Sequence, residues 1–230
     1  MATEHQRAQL EKRLREYRKK YLTKKQNMDV NESATRIMVN YFLTEVLNYE
    51  ELEDIKTEYA IRGEYADYVI QLKRKKHFVV EVKSIDLDLN ERHLRQSISY
   101  AANEGIDWIL LFNGRQIQLY RVIFAKPIST HQVFSLDLRD LSVLKNASEH
   151  LVNLMKASIL KNDLEVYWKR FNALTPESLV KTIYTKDVIN AVRLKVKKVS
   201  GINFDNQEVL DAIHELIVHE CKAVRPKLLK

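Results

Sequence analysis

The chain has 230 residues, of which 45% are hydrophobic and 30% are charged, and its formal net charge is +7. This hydrophobic content excludes a largely disordered chain, and no apolar run is long enough to predict a membrane span. Cys221 is the only cysteine, which excludes a disulfide framework and a four-thiolate zinc site and favours a reducing, cytoplasmic compartment.

Positive charge is concentrated at the start of the chain. Residues 1–26 hold nine Lys and Arg against three Glu, a net charge of +6. Four larger side chains recur there at helical spacing: Leu10, Leu14, Tyr17 and Tyr21. Their spacing predicts an amphipathic helix with a basic outer face. This helix either packs on the body of the protein or binds the phosphates of a polyanion.

The next segment predicts one helix followed by three strands. Asn31 is a good N-cap for a helix that runs to Val46. A break at Gly63 and a basic turn over Lys73–Lys76 separate the strands from one another. The predicted strands cover Ile55–Ile61, Tyr65–Leu72 and Phe78–Lys83.

Three ionisable residues stand in or beside these apolar strands. Burying an unpaired charge is costly, so such groups usually pair with each other or bind a metal ion. Side chains alternate along a strand, so Glu81 and Lys83 project from the same face. If the second and third strands form a hairpin, Asp67 lies beside Glu81. Two carboxylates and one ammonium then converge, which suits a divalent cation, a nucleophilic water and a phosphodiester.

A second helix is predicted after the third strand. A polar loop over Ser84–Asn90 leads into this helix, and Gly105 ends it. Gln96 and Tyr100 are four residues apart and therefore share one face of the helix. They either pack there or contact a nucleic-acid backbone.

Two more strands complete the predicted sheet. Trp108–Phe112 and Gln116–Val122 form a hairpin with a type I′ turn at Asn113–Gly114. After Pro127 the pattern becomes helical to the end of the chain.

The order of these elements predicts an α/β fold, a mixed β-sheet flanked by helices. It divides the chain into a basic amphipathic helix at 1–27, an α/β core at 28–127 and a helical C-terminal extension at 128–230. The extension carries an apolar stripe that exceeds the needs of a peripheral hairpin, formed by Val188, Val192 and Val196. This stripe favours a homo-oligomer.

The ordered motifs of the core resemble a known superfamily. Asp67, Glu81-Val82-Lys83, Gln96 and Tyr100 match the D…ExK…QxxxY pattern of the PD-(D/E)XK nucleases. The surrounding blocks between residues 31 and 123 are similar to the N-terminal nuclease domain of type I restriction enzyme R subunits. An isolated ExK triplet is weak evidence, whereas several blocks in the right order are much more specific.

The resemblance implies a restriction-endonuclease-like fold and Mg²⁺-dependent hydrolysis of phosphodiester bonds in DNA, with Mn²⁺ as a substitute metal. Asp67, Glu81 and the main-chain carbonyl of Val82 would bind the metal, which suits an ion that takes few protein carboxylates. Lys83 would orient or deprotonate the attacking water and stabilise the charge that develops on the phosphate.

The resemblance also implies supporting roles. Gln96 would complete the catalytic set, and together with Tyr100 it would place the scissile strand, while Glu32 would stand in an outer shell. The alternative is that the two carboxylates and Lys83 form inert ion pairs, as in a nucleic-acid-binding or assembly module without catalytic activity. An RNA substrate is a third alternative.

The chain departs from the family pattern in two respects. Ala66 replaces the proline of the PD motif, a change that leaves Asp67 in place. R subunits carry a helicase motor, but the four glycines of this chain do not form a GxxxxGK[ST] phosphate loop. The chain is therefore expected to be a stand-alone nuclease of that lineage or a fragment, with any motor or specificity subunits on separate chains.

Overall fold

The structure is a computed structural model that describes residues 3–23, 31–61 and 64–221, with side chains described outside 58–65 and 217–221. The predicted break at Gly63 and the basic residues Lys24 and Lys25 lie outside the described residues. None of the described helices is long and apolar enough to cross a membrane.

Six strands of the described residues form one mixed sheet in which the spatial order follows the chain order. The third and fourth strands pair in parallel, and the other neighbouring pairs are antiparallel. The predicted α/β fold, a mixed sheet flanked by helices, is confirmed. The strands are β1 Ile55–Ile61, β2 Glu64–Leu72, β3 Lys75–Val82, β4 Trp108–Phe112, β5 Gln116–Ile123 and β6 Ser129–Asp137.

Helices precede the sheet, interrupt it between β3 and β4, and follow it. The α-helices of the described residues are α1 Glu4–Tyr21, α2 Glu32–Tyr41, α3 Glu51–Asp54, α4 Arg95–Glu104, α5 Leu144–Leu151, α6 Lys156–Leu160, α7 Asp163–Ala173, α8 Pro176–Ile183, α9 Lys186–Ser200 and α10 Asn206–Cys221. A π-helical turn over Phe42–Val46 extends α2, and a 3₁₀ turn over Glu91–Leu94 leads into α4.

Two helix ends follow directly from the sequence. The side-chain oxygen of Asn31 accepts a hydrogen bond from the N–H of Ala34 at 2.8 Å, which satisfies one of the donors left over at the start of α2. Gly105 ends α4 in the left-handed region with φ +64°, where glycine has no Cβ to clash. Both predicted helix ends are confirmed.

The hairpin between β2 and β3 has a shorter turn than predicted. Lys73 and Arg74 have φ values of +48° and +67°, and they alone connect the two strands. Positive φ at both central residues is what a type I′ turn requires. Lys75 and Lys76, which were predicted to lie in the turn, belong to β3 instead.

The turn between β4 and β5 is not of the predicted type. Gly114 has φ +83°, but Asn113 and Arg115 are not among the described residues with positive φ, so the predicted type I′ turn is wrong. The side-chain oxygen of Asn113 accepts hydrogen bonds from the N–H groups of Arg115 and Gln116, at 3.2 and 2.7 Å. The asparagine thus stabilises the turn through its side chain, without adopting a left-handed conformation.

The N-terminal helix α1 is amphipathic, as predicted, and its inner face is part of the core. Leu10, Leu14 and Tyr17 are fully buried. The hydroxyl of Tyr17 donates a hydrogen bond to the carbonyl oxygen of Gly114 at 2.6 Å, which ties α1 to the β4–β5 turn. Packing is therefore one role of this helix, and phosphate binding by its basic outer face stays a prediction.

The segment after Pro127 begins with a strand, although the sequence pattern predicted helices from residue 128 onwards. The strand β6 pairs antiparallel with β5 and buries Val133, Phe134 and Leu136. The expected helical extension is therefore wrong for residues 129–137. The predicted boundaries of the three domains stay predictions.

The described residues divide into two compact units, one ending at Tyr167 and the other beginning at Trp168. The second unit has its own apolar cluster of five buried residues: Val180, Tyr184, Ile189, Val209 and Leu210. Of the apolar stripe predicted on α9, Val192 packs against this cluster and Val196 is 37% exposed.

A half-buried histidine of the first unit, His150, predicts how stability depends on pH. His150 shares a hydrogen bond of 2.6 Å with the hydroxyl of Tyr167, and burial lowers the pKa of His150 and raises the pKa of Tyr167 to about 12. The folded protein therefore binds a proton at His150 less readily than the unfolded chain does. The contribution of the neutral His150 to the stability of the fold is fully present above the ordinary histidine pKa of about 6.5. It is lost as the pH falls through the lowered pKa of the folded state.

We expect His150→Gln to reduce the loss of stability between about pH 6.5 and pH 5, because glutamine does not titrate. Urea denaturation at a series of pH values measures the effect, with His5→Gln on the exposed side of α1 as the control. A His150→Gln variant that loses stability on acidification as steeply as the wild type would contradict the assignment.

Candidate active site

The pairing of β2 with β3 brings two carboxylates together. Tyr68 pairs with Val80 in the antiparallel ladder, so the next position sets Asp67 opposite Glu81. Opposed residues point to the same face of a sheet. The sequence predicted this proximity, and the structure has it.

A β-bulge sets this register. Along β3 the paired positions step from Lys76 to Phe78 while β2 advances by one residue, so His77 is the extra residue of the bulge. If the register fixed by the two-residue turn continued without a bulge, Asp67 would lie opposite Val80. The bulge therefore places both carboxylates on the same face of the sheet.

Asp67 is held by two donors. Its Oδ2 accepts a hydrogen bond from the main-chain N–H of Val82 at 2.8 Å, and its Oδ1 forms an ion pair with Arg36 from α2. Arg36 also contacts Glu32 one turn earlier, at 3.4 Å. Glu32 is therefore linked to Asp67 through Arg36, which agrees with the outer-shell position that the resemblance implies for Glu32.

Glu81 is 4% exposed and is also held by two donors. Its Oε1 accepts from the ammonium of Lys83 at 2.5 Å, and its Oε2 accepts from the hydroxyl of Ser97 on α4, also at 2.5 Å. Burial raises the pKa of Glu81, and the negative charge of Asp67 adds to this effect. Hydrogen bonds from Lys83 and Ser97 act in the opposite direction but do not offset the burial.

The donor set fits a magnesium ion. Among the described residues, no group of three or more His, Cys, Asp or Glu side chains could hold a metal, so the site offers two carboxylates and main-chain carbonyls. Mg²⁺ usually takes one or two protein carboxylates and keeps several waters, so three side-chain ligands are not needed. Asp67 and Glu81 supply the two carboxylates, and Val82, whose main-chain carbonyl is the third expected ligand, stands between Glu81 and Lys83 in the sequence.

An open cleft of about 700 Å³ adjoins Glu81 and Lys83. Its wall carries mostly cationic and polar side chains: Glu81, Lys83, Arg92, His93, Arg95, Gln96 and Ser99. Gln96 is exposed there, so it can meet a substrate that enters the cleft. Burial, together with the nearby ammonium of Lys83, lowers the pKa of His93.

Tyr100 does not line the cleft. It is fully buried in the apolar cluster between α4 and the sheet, with Val69 and Val79 among its neighbours in that cluster. The predicted contact of Tyr100 with the substrate strand is therefore wrong in this structure. Ser97, Tyr100 and Ala101 form the buried face of α4, and Gln96 lies at the edge of that face.

Sequence reasoning missed Arg36 and Ser97, the two residues that hold the carboxylates from neighbouring helices. Arg36 follows Glu32 by four residues, a spacing that predicts an ion pair within the helix. Its pairing with Asp67 across 31 positions has no such local signal. Ser97 is next to Gln96 in the sequence, but only the rotation of α4 against the sheet shows which of the two reaches Glu81.

Comparisons with known proteins bear on this segment of the chain. Residues 31–131 match the family model of the type I restriction enzyme R protein N terminus, which confirms the resemblance shown by the ordered motifs. Among solved structures, the chain is similar to a chain in the cryo-EM structure of the DrdV–DNA complex, at 16% identity and a TM-score of 0.39. That alignment covers 91% of this chain and 21% of the other, so the chain spans about a fifth of that chain's length. No curated protein matches the chain.

The Ser97–Glu81 hydrogen bond gives a prediction about stability. We expect Ser97→Ala to lower the free energy of unfolding by about 2 kcal/mol, because it removes a buried hydrogen bond to a charged group. The same change should raise the pKa of Glu81 further, since the hydroxyl favours the ionised carboxylate. Urea denaturation and an NMR titration of the Glu81 carboxyl measure the two effects.

Ser99→Ala is the matched control, since Ser99 lies on the same helix and no hydrogen bond joins its hydroxyl to Glu81 among the described residues. It should change stability by less than about 0.5 kcal/mol. Equal effects of the two substitutions would show that Ser97 does not act through Glu81.

Proposed function

We propose that the chain is a Mg²⁺-dependent nuclease of the PD-(D/E)XK type that hydrolyses phosphodiester bonds in DNA. The observation that carries the proposal is the opposition of Asp67 and Glu81, with Lys83 in contact with Glu81 at 2.5 Å. The three residues lie in the segment that matches the type I restriction enzyme R family, which supports a nuclease-like role. A half-buried ammonium, paired with a carboxylate that also lines an open cleft, suits phosphoryl chemistry.

Asp67, Glu81 and the main-chain carbonyl of Val82 would hold Mg²⁺, or Mn²⁺ in its place. When bound, the ion would supply Lewis-acid polarisation of the phosphate and a lowered pKa for water. Before an ion binds, Asp67 is paired with Arg36 and Glu81 with Lys83. Each carboxylate therefore has one cationic partner within the protein before an ion binds.

The side chains around the pair would act on the substrate. Lys83 would orient the attacking water and stabilise the negative charge that develops on the phosphate oxygens. Gln96 would help to place the scissile strand in the cleft. Ser97 fixes the rotamer of Glu81 and thereby orients its carboxylate.

A second function has one observation in its favour. All four oxygens of the two carboxylates already have partners within the protein, namely Arg36, the N–H of Val82, Lys83 and Ser97. Such a set also describes inert ion pairs in a nucleic-acid-binding or assembly module without catalytic activity. Metal titration distinguishes the two functions, since an inert pair would not exchange its cations for Mg²⁺.

We also propose DNA as the main partner, a homo-oligomer as the functional state, and separate motor or specificity subunits as further partners. The exposed apolar side chains of the second unit support self-association. They include Leu194, Val199 and Leu216, which are 52%, 79% and 74% exposed.

The proposed chemistry predicts that substitutions of the site residues reduce DNA cleavage to different extents. Asp67→Ala and Glu81→Ala should abolish Mg²⁺-dependent cleavage, because they remove the metal ligands, while DNA binding should persist or strengthen as negative charge is lost. Lys83→Ala should bind metal but cleave about 10²–10³-fold more slowly. Gln96→Ala should lose less, since it acts through substrate placement. Nicking of plasmid and oligonucleotide DNA, together with calorimetric Mg²⁺ titration, measures these effects.

Asp86→Ala, which changes an exposed carboxylate in the loop after β3, is the control and should cleave like the wild type. Circular dichroism checks that each variant is folded. A folded wild type that neither binds nor uses Mg²⁺ or Mn²⁺ would contradict the nuclease proposal and favour the binding module. Full activity of Lys83→Ala would leave the site in place but refute the role given to the ammonium.

A further inference from the structure

We propose that Arg92, His93 and Arg95 form a phosphate-binding wall that holds the backbone of a DNA strand in the cleft beside Glu81. The three residues stand at the junction of the 3₁₀ turn and α4, and all three line the cleft. The inference rests on the proposed function for the identity of the strand, but it does not require that the strand be cleaved.

The two arginines differ from the other arginines around the sheet. Four of those pair with carboxylates: Arg36, Arg115, Arg121 and Arg139. No described carboxylate pairs with Arg92 or Arg95, and both side chains are exposed. Two guanidinium groups without an anionic partner among the described residues therefore line the cleft. Glu81, the one carboxylate among the described lining residues, is already paired with Lys83. A guanidinium matches phosphate geometry through paired N–H donors.

His93 adds a third donor to the wall. Its Nδ1 accepts a hydrogen bond from the main-chain N–H of Asn90 at 3.3 Å, so Nδ1 carries no proton in this arrangement and the ring proton is on Nε2. An N–H at Nε2 donates and does not accept. The wall as a whole therefore offers donors, which selects for a ligand rich in acceptor oxygens. A DNA backbone has two such oxygens on every phosphate.

The wall is held in place by the β4–β5 hairpin. Arg115 donates from Nε to the carbonyl of Ile85 at 2.7 Å and from Nη2 to Asp88 at 2.7 Å. Asn113 donates to the carbonyl of Leu87 at 2.6 Å. These bonds fix the loop that precedes the 3₁₀ turn, so little backbone freedom is lost when a ligand binds, which favours affinity.

The location of the wall argues for a nucleic-acid strand rather than a single small anion. The cleft is about 700 Å³ and open, and its cations extend from Lys83 beside Glu81 to Arg92 in the 3₁₀ turn and Arg95 at the start of α4. A strand whose phosphates contact the two arginines would carry a neighbouring phosphodiester towards Lys83. The wall would thus position the substrate relative to the site that acts on it.

The test is binding of a fluorescein-labelled DNA duplex, and of its single strands, to the full chain in EDTA, with anisotropy measured between 50 and 200 mM salt. Each phosphate contact contributes about 0.9 to the slope of log affinity against log salt. Arg92→Ala/Arg95→Ala should therefore reduce the slope by about 2 and bind more weakly than the wild type at 50 mM salt. Wild-type affinity should fall about tenfold more than that of the variant over this range.

Lys75→Ala/Lys161→Ala is the matched control. It removes the same two charges, and Lys75 begins β3 about 20 Å of strand away from Glu81. This control should keep most of the wild-type salt slope. Arg92→Lys/Arg95→Lys keeps the two positive charges, so its salt slope should be much closer to that of the wild type than the slope of the double alanine variant. A double alanine variant that binds DNA like the wild type would overturn the proposal, as would displacement of DNA by polyglutamate at equal charge concentration.

The result is independent of cleavage. If the wild type cleaves nothing but the arginine variant still loses DNA affinity in EDTA, the wall stands and the nuclease proposal fails. If the wild type cleaves with Mg²⁺ and the arginine variant binds and cleaves equally well, the nuclease proposal stands and the wall fails. An equal loss of DNA affinity in the lysine control would assign the effect to net charge and would also contradict the proposed phosphate-binding wall.

Discussion

The register between β2 and β3 is the constraint on which the site depends. A two-residue turn fixes one register near Lys73, and the bulge at His77 shifts it by one position before the strands reach Asp67. Since side chains alternate between faces, a shift of one residue decides whether Asp67 meets Glu81 or Val80. The observed register also pairs Val69 with Val79, and both side chains pack in the cluster under α4. Core packing and site geometry therefore require the same register.

The two carboxylates that this register brings together are each compensated by a nearby cation. Two nearby carboxylates repel each other, and the burial of Glu81 adds a desolvation cost that raises its pKa. Arg36 and Lys83 offset this cost, one for each carboxylate, and Ser97 supplies a further hydrogen bond. Removing any one partner leaves a charge uncompensated in a mostly buried place, so the residues are expected to be strongly non-additive in mutagenesis. The same balance is compatible with exchange of a cation for a metal ion.

Local patterns predicted much of the fold. Apolar runs and the turn residues between them indicated the strands β1 to β5, and single residues with a clear physical role, Asn31 and Gly105, marked helix ends. The opposition of Asp67 and Glu81 was predicted as well, although the bulge that produces it was not, because an extra residue in a strand has no strong local signal. The strand β6 was missed because it lies at the edge of the sheet and only part of it is buried, so its sequence is largely polar.

Long-range contacts account for the rest of what the sequence did not show. Arg36 reaches Asp67, and Ser97 reaches Glu81, only because two helices pack against the sheet at particular rotations. The same rotation of α4 buries Tyr100, which spacing alone had placed on a shared face with Gln96. Helical spacing shows which residues are neighbours on a helix, but it does not show which of these neighbours face the core.

A crystal structure with saturating Mn²⁺, in which anomalous scattering locates the ion, tests the central claim most directly. The proposal predicts an ion bound by Asp67 and Glu81, with the Arg36 and Lys83 ion pairs loosened in its presence. The opposite result is a site with no anomalous peak and with both ion pairs intact. That result would show that the opposed carboxylates are structural ion pairs and would contradict the assignment of a metal-dependent nuclease.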